Sequence, residues 1–164
     1  MEPLDMLGMR HLGMLPIQDA LLTIAICAAE SGKKTGFSYI PGLVALALAN
    51  PLYSEKIESL RKRIYHLVNA ITVGDQEKFV DLAIKSLPSE LKETALTWAA
   101  DVVVANGILA DEKKQFLEEL AAKLSIDSSV AERIIDVSAV KKRTLRRATA
   151  DEKSPYQHEE FVAQ

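Results

Sequence analysis

The stretch from Ala95 to Ala105, which reads ALTWAADVVVA, constrains the fold more than any other part of the chain. Asp101 is its only charged residue, so a helix built from it is apolar on nearly every face. Such a helix must be surrounded by other elements, which predicts a position inside a bundle. Gly107 follows as a helix terminator. Asp111 and Glu112 then suit the first turn of an amphipathic helix, because carboxylates there meet the positive end of the helix dipole.

Apolar residues spaced three and four apart predict further helices along the chain. The predicted helices cover approximately residues 17–31, 41–50, 54–72, 75–87, 89–105, 111–124 and 127–140. Ser54, Asp75 and either Asp127 or Ser128 are the predicted N-caps. No alternating pattern is long enough for a strand. We therefore predict an all-α, single-domain bundle of about seven helices over residues 16–140, with an N-terminal arm (1–15) and a basic segment and tail (141–164).

Length and composition restrict the possible functions. A chain of 164 residues fits one domain, and a net charge of −3 provides no global cationic field for nucleic acid. Cys27 is the only cysteine, which excludes an intramolecular disulfide, and its apolar surroundings predict a buried thiol. Glu2 and Asp5 stand where a secretory signal carries positive charge, and no apolar run is long enough for a membrane span. We expect a cytoplasmic protein.

The chain also carries an internal repeat. ALLTIAICAAESG (Ala20–Gly32) and ALTWAADVVVANG (Ala95–Gly107) have equal length and end alike, in a polar residue followed by glycine. Four aligned pairs are identical, namely Ala20/Ala95, Leu21/Leu96, Ala25/Ala100 and Gly32/Gly107. We therefore predict two pseudo-symmetric halves, each made of a buried helix, a glycine loop and a flanking helix. The two glycine loops are expected to lie near each other.

From about Gln18 to Asp136 the chain resembles the TerB-like family of tellurite-resistance proteins. The resemblance rests on AAESG around Glu30, on EKFVDLAIKSL (Glu77–Leu87) and on the sequence from Ala95 to Ile126. It implies an all-helical fold with duplicated halves and a role in stress response. It also implies protein partners, in complexes at the inner face of the membrane. In each half, an aspartate of the glycine loop and an acid on the next helix would form a metal-binding patch.

The residues of this patch depart from the family pattern. The candidate metal ligands are Glu30, Asn106, Asp111 and Glu112. Ser31 and Asn106 stand where the loop aspartates are expected, and Lys113 stands where the glutamate of the following helix belongs. Hard cations need several oxygen ligands that converge on one point. We therefore expect a degenerate patch with at most a weakly held divalent metal, in a module that binds a protein or small ligand. Assembly into a homo-oligomer is left open.

Other polar and aromatic residues allow several interpretations. Asp101 either faces outward, pairs with a base such as Arg61 or Lys62, or lines a polar cavity, because an unpaired buried charge is costly. Tyr65 and Trp98 either line a small apolar pocket between helices or simply pack in the core. No nucleophile–base set, phosphate-binding glycine loop or HExxH pattern occurs, so we do not expect an enzyme.

The alternative function is nucleic-acid binding. Leu120–Ile135 resembles a helix-turn-helix, and the basic run 141–147, KKRTLRR, would supply phosphate contacts. Ser125 replaces the usual glycine of the turn, and Glu132 and Asp136 on the would-be recognition helix would repel phosphate. The basic run is otherwise a solvated helix end, or a contact for an acidic partner or a membrane surface.

Overall fold

The computed structural model describes residues 13–32, 36–104 and 107–143, which form a bundle of seven α-helices. The helices are α1 (Ile17–Glu30), α2 (Ile40–Leu48), α3 (Ile57–Val73), α4 (Gln76–Ser86), α5 (Lys92–Val103), α6 (Asp111–Lys123) and α7 (Ser128–Lys141). One turn of 3₁₀ helix, Ser89–Leu91, precedes α5. No β-strand occurs in these ranges, so the all-α prediction is confirmed. Within the same ranges, every helix is too short or too polar to cross a membrane. Most of the predicted arm and tail lies outside the described residues.

Helix α1 is the most deeply buried element. Every residue from Asp19 to Glu30 is buried, and the helix packs against α3, α4, α5 and α6. Its most extensive contact is with α5. The sequence predicted a central helix around Ala95–Ala105 and a buried helix in each half of the chain, and α1 and α5 lie together at the centre. The reason is that α1 is equally free of polar faces, with isoleucine, leucine and alanine around its whole circumference.

The helix contacts repeat between the two halves of the chain. Helix α1 packs on α3 as α5 packs on α7, and α2 packs on α3 as α6 packs on α7. The halves also exchange contacts, because α1 touches α6 and α5 touches α2. Ala29 near the end of α1 and Val104 just after α5 line the same cavity, so the two glycine loops begin at one end of the bundle. These relations support the predicted pair of halves.

The helix ends follow the predicted caps in two cases out of three. Asp75 Oδ1 accepts hydrogen bonds from the backbone N–H groups of Glu77 at 3.1 Å and Lys78 at 3.4 Å. Asp127 Oδ1 accepts one from Ser129 N at 2.9 Å. The prediction that Ser54 caps α3 is wrong, because that helix begins only at Ile57.

The segment before α3 contacts other helices through Tyr53, and α3 begins only after this segment. The Tyr53 hydroxyl donates to the Gln18 carbonyl oxygen at 2.7 Å. Its ring stacks on Trp98 with 5.7 Å between the centroids. Tyr53 thus joins α1 to α5, and the chain around it stays non-helical to make these contacts. Arg63 on α3 adds an ion pair of 2.6 Å to Asp19 in the first turn of α1.

The two glycines that end the repeated segments adopt positive φ angles, +67° at Gly32 and +77° at Gly107. Atoms of neighbouring residues also lie close to both glycines. A Cβ at Gly32 would lie 3.1 Å from Glu112 Cβ, and one at Gly107 would lie 2.8 Å from Arg143 Cγ. The glycine loops therefore need glycine for backbone conformation and for space.

We expect Gly32→Ala to destabilise the protein more than Gly36→Ala. Both residues have positive φ, so alanine costs about 1–2 kcal/mol at either position. Only Gly32 has neighbouring atoms within 4 Å of the added Cβ, and overpacking there adds roughly 1 kcal/mol or more. Urea unfolding of the two variants measures the difference. Equal losses of unfolding free energy in the two variants would show that the Glu112 side chain can move away from the added Cβ without destabilising the protein.

We also expect Cys27 to make the stability fall at alkaline pH. Burial raises the pKa of the Cys27 thiol far above its ordinary value, and Glu30 raises it further. A group whose pKa is raised by folding loses its stabilising contribution as pH climbs past its unfolded pKa, about 8.5 for cysteine. Between pH 8.5 and 10 the free energy of unfolding should therefore fall less steeply with pH in Cys27→Ala than in the native protein. The two slopes should differ by up to about 1.4 kcal/mol per pH unit. Parallel pH profiles would contradict the burial of this thiol.

Candidate functional site

The candidate site begins where α1 ends. The last carbonyl groups of a helix lack partners within the helix and need donors from elsewhere. Lys113, in the first turn of α6, supplies one: its Nζ donates to the carbonyl oxygens of Ala29 at 2.6 Å, Ala28 at 3.3 Å and Ser31. The side chain is almost fully enclosed, with 7% of the residue exposed. A positive charge at this position also complements the negative end of the α1 dipole.

Two carboxylates accompany this ammonium group. Glu30, the last residue of α1, is buried, and its Oε1 accepts a hydrogen bond of 2.7 Å from the Tyr39 hydroxyl. Glu112 packs against Gly32. Burial lowers the pKa of Lys113, while the negative charges of Glu30 and Glu112 act in the opposite direction. At the end of α1, therefore, one lysine contacts three carbonyl oxygens and lies in the electrostatic field of two acids.

The predicted metal ligands are only partly brought together. Glu30 and Glu112 both lie at the end of α1, close enough to influence Lys113. Asp111 is exposed in the first turn of α6, and Asn106 lies outside the described residues. Within the described ranges, no group of three or more histidine, cysteine or acidic side chains is arranged to hold a metal ion. The cation among these oxygens is the ammonium group of Lys113.

Asp101 is a buried acid that forms an ion pair with a lysine of α7. The residue is 5% exposed, and its Oδ2 lies 3.0 Å from Lys141 Nζ on α7. Two of the predicted alternatives are observed, because Asp101 pairs with a base and also lines a cavity. The base is Lys141 and not Arg61 or Lys62, which are exposed on α3, whereas α7 packs directly on α5. Asp101 Oδ1 is buried and has no hydrogen-bond partner.

A cavity of about 560 Å³ opens between α2, α5 and α7. Its size is within the range of small-molecule sites. Alanine, leucine and valine side chains form most of the wall, and the polar lining includes Asp101, Lys113, Lys141 and Lys142. Lys142 Nζ donates to the Val104 carbonyl oxygen at 3.2 Å. Burial lowers the pKa of Lys142; Asp101 raises it and Lys141 lowers it further. The cavity therefore combines apolar walls with a cationic edge.

The two aromatic residues predicted to share a pocket lie in different surroundings. Trp98 is buried and stacks on Tyr53, so it belongs to the core contact between α1 and α5. Tyr65 is 49% exposed on α3. Neither residue lines the cavity between α2, α5 and α7.

The segment Leu120–Ile135, which resembles a helix-turn-helix in sequence, contains the end of α6, a tight turn and the first part of α7. Ser125 has a positive φ of +58° in this turn, so the backbone adopts the conformation for which glycine is usual. Glu132 and Asp136 are exposed on α7. The first two lysines of the basic run, Lys141 and Lys142, make contacts inside the protein, with Asp101 and with the Val104 carbonyl. A nucleic-acid-binding surface would therefore have fewer free phosphate contacts than the sequence predicted.

Sequence reasoning missed the roles of Lys113, Lys141 and Lys142. One signal for Lys113 was available, because it occupies the inward stripe of α6 together with Leu117, Leu120, Ala121 and Leu124. A lysine at such a position must reach oxygen atoms or remain unpaired. No comparable signal marked Lys141 or Lys142, whose partners lie 40 and 38 residues away along the chain.

Comparison of the chain with protein-family models, with curated proteins and with solved structures found no match.

Proposed function

We propose that this chain is a non-catalytic, TerB-like interaction module in which the ammonium group of Lys113 takes the place of a bound metal cation. The observation that carries the proposal is the set of contacts made by Lys113 Nζ with the carbonyl oxygens of Ala28, Ala29 and Ser31. Carbonyl and carboxylate oxygens are the ligands that hard divalent cations use in proteins. Here the same kinds of oxygen surround a cation that is part of the chain.

The electrostatics of the cluster support this assignment. Glu30 and Glu112 are close enough to raise the pKa of Lys113 against the effect of burial. A lysine that bridges the end of α1 and the start of α6 performs the structural task of a metal: it holds two elements together and neutralises nearby acids. Because it is tethered, the bridge does not depend on the supply of any ion.

The biological role in the proposal follows from the resemblance. A TerB-like module without catalytic residues acts through partners, so we place this chain in stress or tellurite-resistance systems, as a component that binds other proteins. A complex at the inner face of the membrane is the setting that the resemblance implies. The loss of metal dependence would make its interaction independent of divalent-ion concentration.

The proposal predicts that the native protein does not bind divalent metals tightly. We expect calorimetric titration with Ca²⁺, Mg²⁺ and Zn²⁺ to show no stoichiometric binding, and thermal unfolding to be unchanged by these ions. In Lys113→Glu the competing ammonium is replaced by a third carboxylate near Glu30 and Glu112. Ca²⁺ should then raise the unfolding temperature of this variant. Tight binding to the native protein that is lost in Asp111→Ala and Glu112→Ala would refute the proposal.

Removal of the Lys113 charge alone should destabilise the bundle. Lys113→Gln leaves carbonyl oxygens at the end of α1 without their charged donor, and a lost charge-assisted hydrogen-bond set costs about 1.5–3 kcal/mol. The adjacent Lys114→Gln is the matched control. The Lys114 side chain is 59% exposed, and its ion pair with Glu118 is long, at 3.9 Å. Urea unfolding should show almost no change for the control. Equal effects of the two substitutions would count against a bridging role for Lys113.

A further inference from the structure

The cavity between α2, α5 and α7 has an apolar wall to which two helices contribute. From α2 and the residue that follows it come Gly42, Ala45, Leu46 and Ala49, whose spacing of three and four residues places them on one face. From the end of α5 come the three valines at positions 102–104. An apolar group that enters this cavity therefore leaves water and gains contacts with both helices.

The α5 part of this wall is a helix face that is covered in the other half of the protein. Cys27 Sγ lies 4.0 Å from the Gln76 carbonyl oxygen, so this face of α1 is covered by α4. When Ala20 is aligned with Ala95, Cys27 is aligned with Val102. Val102 lines the cavity and is only partly buried. A molecule in the cavity would therefore cover a face of α5 that corresponds to the covered face of α1.

The charged side chains that line the cavity are mostly positive. They are one acid, Asp101, and three lysines, Lys113, Lys141 and Lys142. Lys113 is held by the carbonyl oxygens at the end of α1. Lys141 pairs with Asp101, and Lys142 donates to the carbonyl oxygen of Val104. The two lysines of α7 and its C-cap thus bring two positive charges against the single negative charge of Asp101.

The positive groups are also more accessible than the negative one. The Lys141 side chain is 52% exposed, whereas that of Asp101 is 7% exposed. The Oδ1 atom of Asp101 is enclosed, so a molecule that enters from solvent meets the lysines first. Lys142 is partly buried, and this burial lowers its pKa. An anionic group beside Lys142 would replace part of the hydration that the ammonium group has lost.

We propose that this cavity binds a medium-chain carboxylate, with the carboxylate group at Lys141 and Lys142 and the tail along the apolar wall. The cavity volume of about 560 Å³ lies within the range of small-molecule sites, and a mostly apolar lining with a few charged groups is typical of them. The face of α2 from Gly42 to Ala49 is about 10 Å long, which limits the length of the tail that it can cover.

This proposal goes beyond the interaction role proposed above, and it does not depend on the replacement of a metal by Lys113. The contacts of Lys113 with α1 are tested by unfolding, whereas the cavity is tested by ligand binding. A failure of one proposal therefore leaves the other to be judged on its own measurement.

Calorimetric titration of the full chain with sodium decanoate, below its micellar concentration, tests the proposal. We expect one saturable site per chain. Decyltrimethylammonium has the same tail with the opposite charge, and it should bind at least about tenfold more weakly because it would meet the lysines. Acetate has the carboxylate without the tail and should show no saturable binding at the same concentrations. Equal affinities for decanoate and decyltrimethylammonium, or no saturable binding of decanoate, would overturn the proposal.

A substitution at the lysine edge tests the position of the carboxylate. Lys142→Gln should weaken decanoate binding at least about tenfold, because charge-assisted hydrogen bonds are among the stronger polar contacts. Lys62→Gln is the matched control, since it makes the same change of charge at an exposed position on α3. It should leave the affinity unchanged. An equal loss of affinity in both variants would show that decanoate responds to the net charge of the protein and not to this cavity, which would refute the assignment.

A substitution in the apolar wall tests the position of the tail. Ala45 lines the cavity and is exposed, so Ala45→Trp should fill the cavity and abolish saturable binding while the bundle stays folded. Ala122→Trp, at an exposed position of α6 outside this cavity, should bind decanoate like the native protein. Circular dichroism verifies the fold of each variant. Unchanged binding in Ala45→Trp would overturn the proposal. So would a native dimer that Ala45→Trp dissociates, because a second copy would then occupy the cavity.

Discussion

The whole structure depends on the contact between α1 and α5. Both helices lack a polar face, so neither can lie at a surface without exposing a large apolar area. Packing them against each other removes one face of each from water, and the remaining faces require further helices. Helices α3, α4 and α6 cover α1, while α2, α6 and α7 cover parts of α5. The other helices are arranged so that they cover the apolar faces of α1 and α5.

Enclosure creates a problem at the helix ends, because buried backbone carbonyls still need donors. The protein solves it at the end of α1 with the long side chain of Lys113, which reaches three carbonyl oxygens from another helix. Tyr39 satisfies Glu30 in the same region. Asp101, on the corresponding buried helix α5, is neutralised by Lys141. Each half thus contains an acid near its central helix end and a lysine brought from a distant helix.

The two halves differ in how their central helices are covered. The first half has its central helix covered by α4, and its loop is closed by Lys113 and Glu112. The second half has an open apolar surface on α5, a lysine edge, and an aspartate oxygen without a partner. The bundle therefore combines a half whose central helix is covered with a half whose central helix is partly open.

The sequence alone determined the helical class, the approximate helix bounds, the caps at Asp75 and Asp127, and the internal repeat. These features depend on interactions within a few residues: apolar spacing, a capping side chain, or a glycine that permits positive φ. The resemblance to a known family pointed to the end of α1 and the start of α6 as the region of interest. It did not predict what Lys113 does there.

Only the tertiary structure decided the partners of the buried charges and the position of the cavity. Lys113 contacts carbonyls more than 80 residues away, and Asp101 pairs with a lysine 40 residues away. The helix predicted to begin at Ser54 begins only at Ile57, after the segment in which Tyr53 contacts α1 and α5. These partners are fixed when the helices pack and their contact faces lose water. A long charged side chain then pairs with a group of opposite charge or a carbonyl oxygen on the neighbouring helix. Local sequence patterns do not predict which helix will be the neighbour.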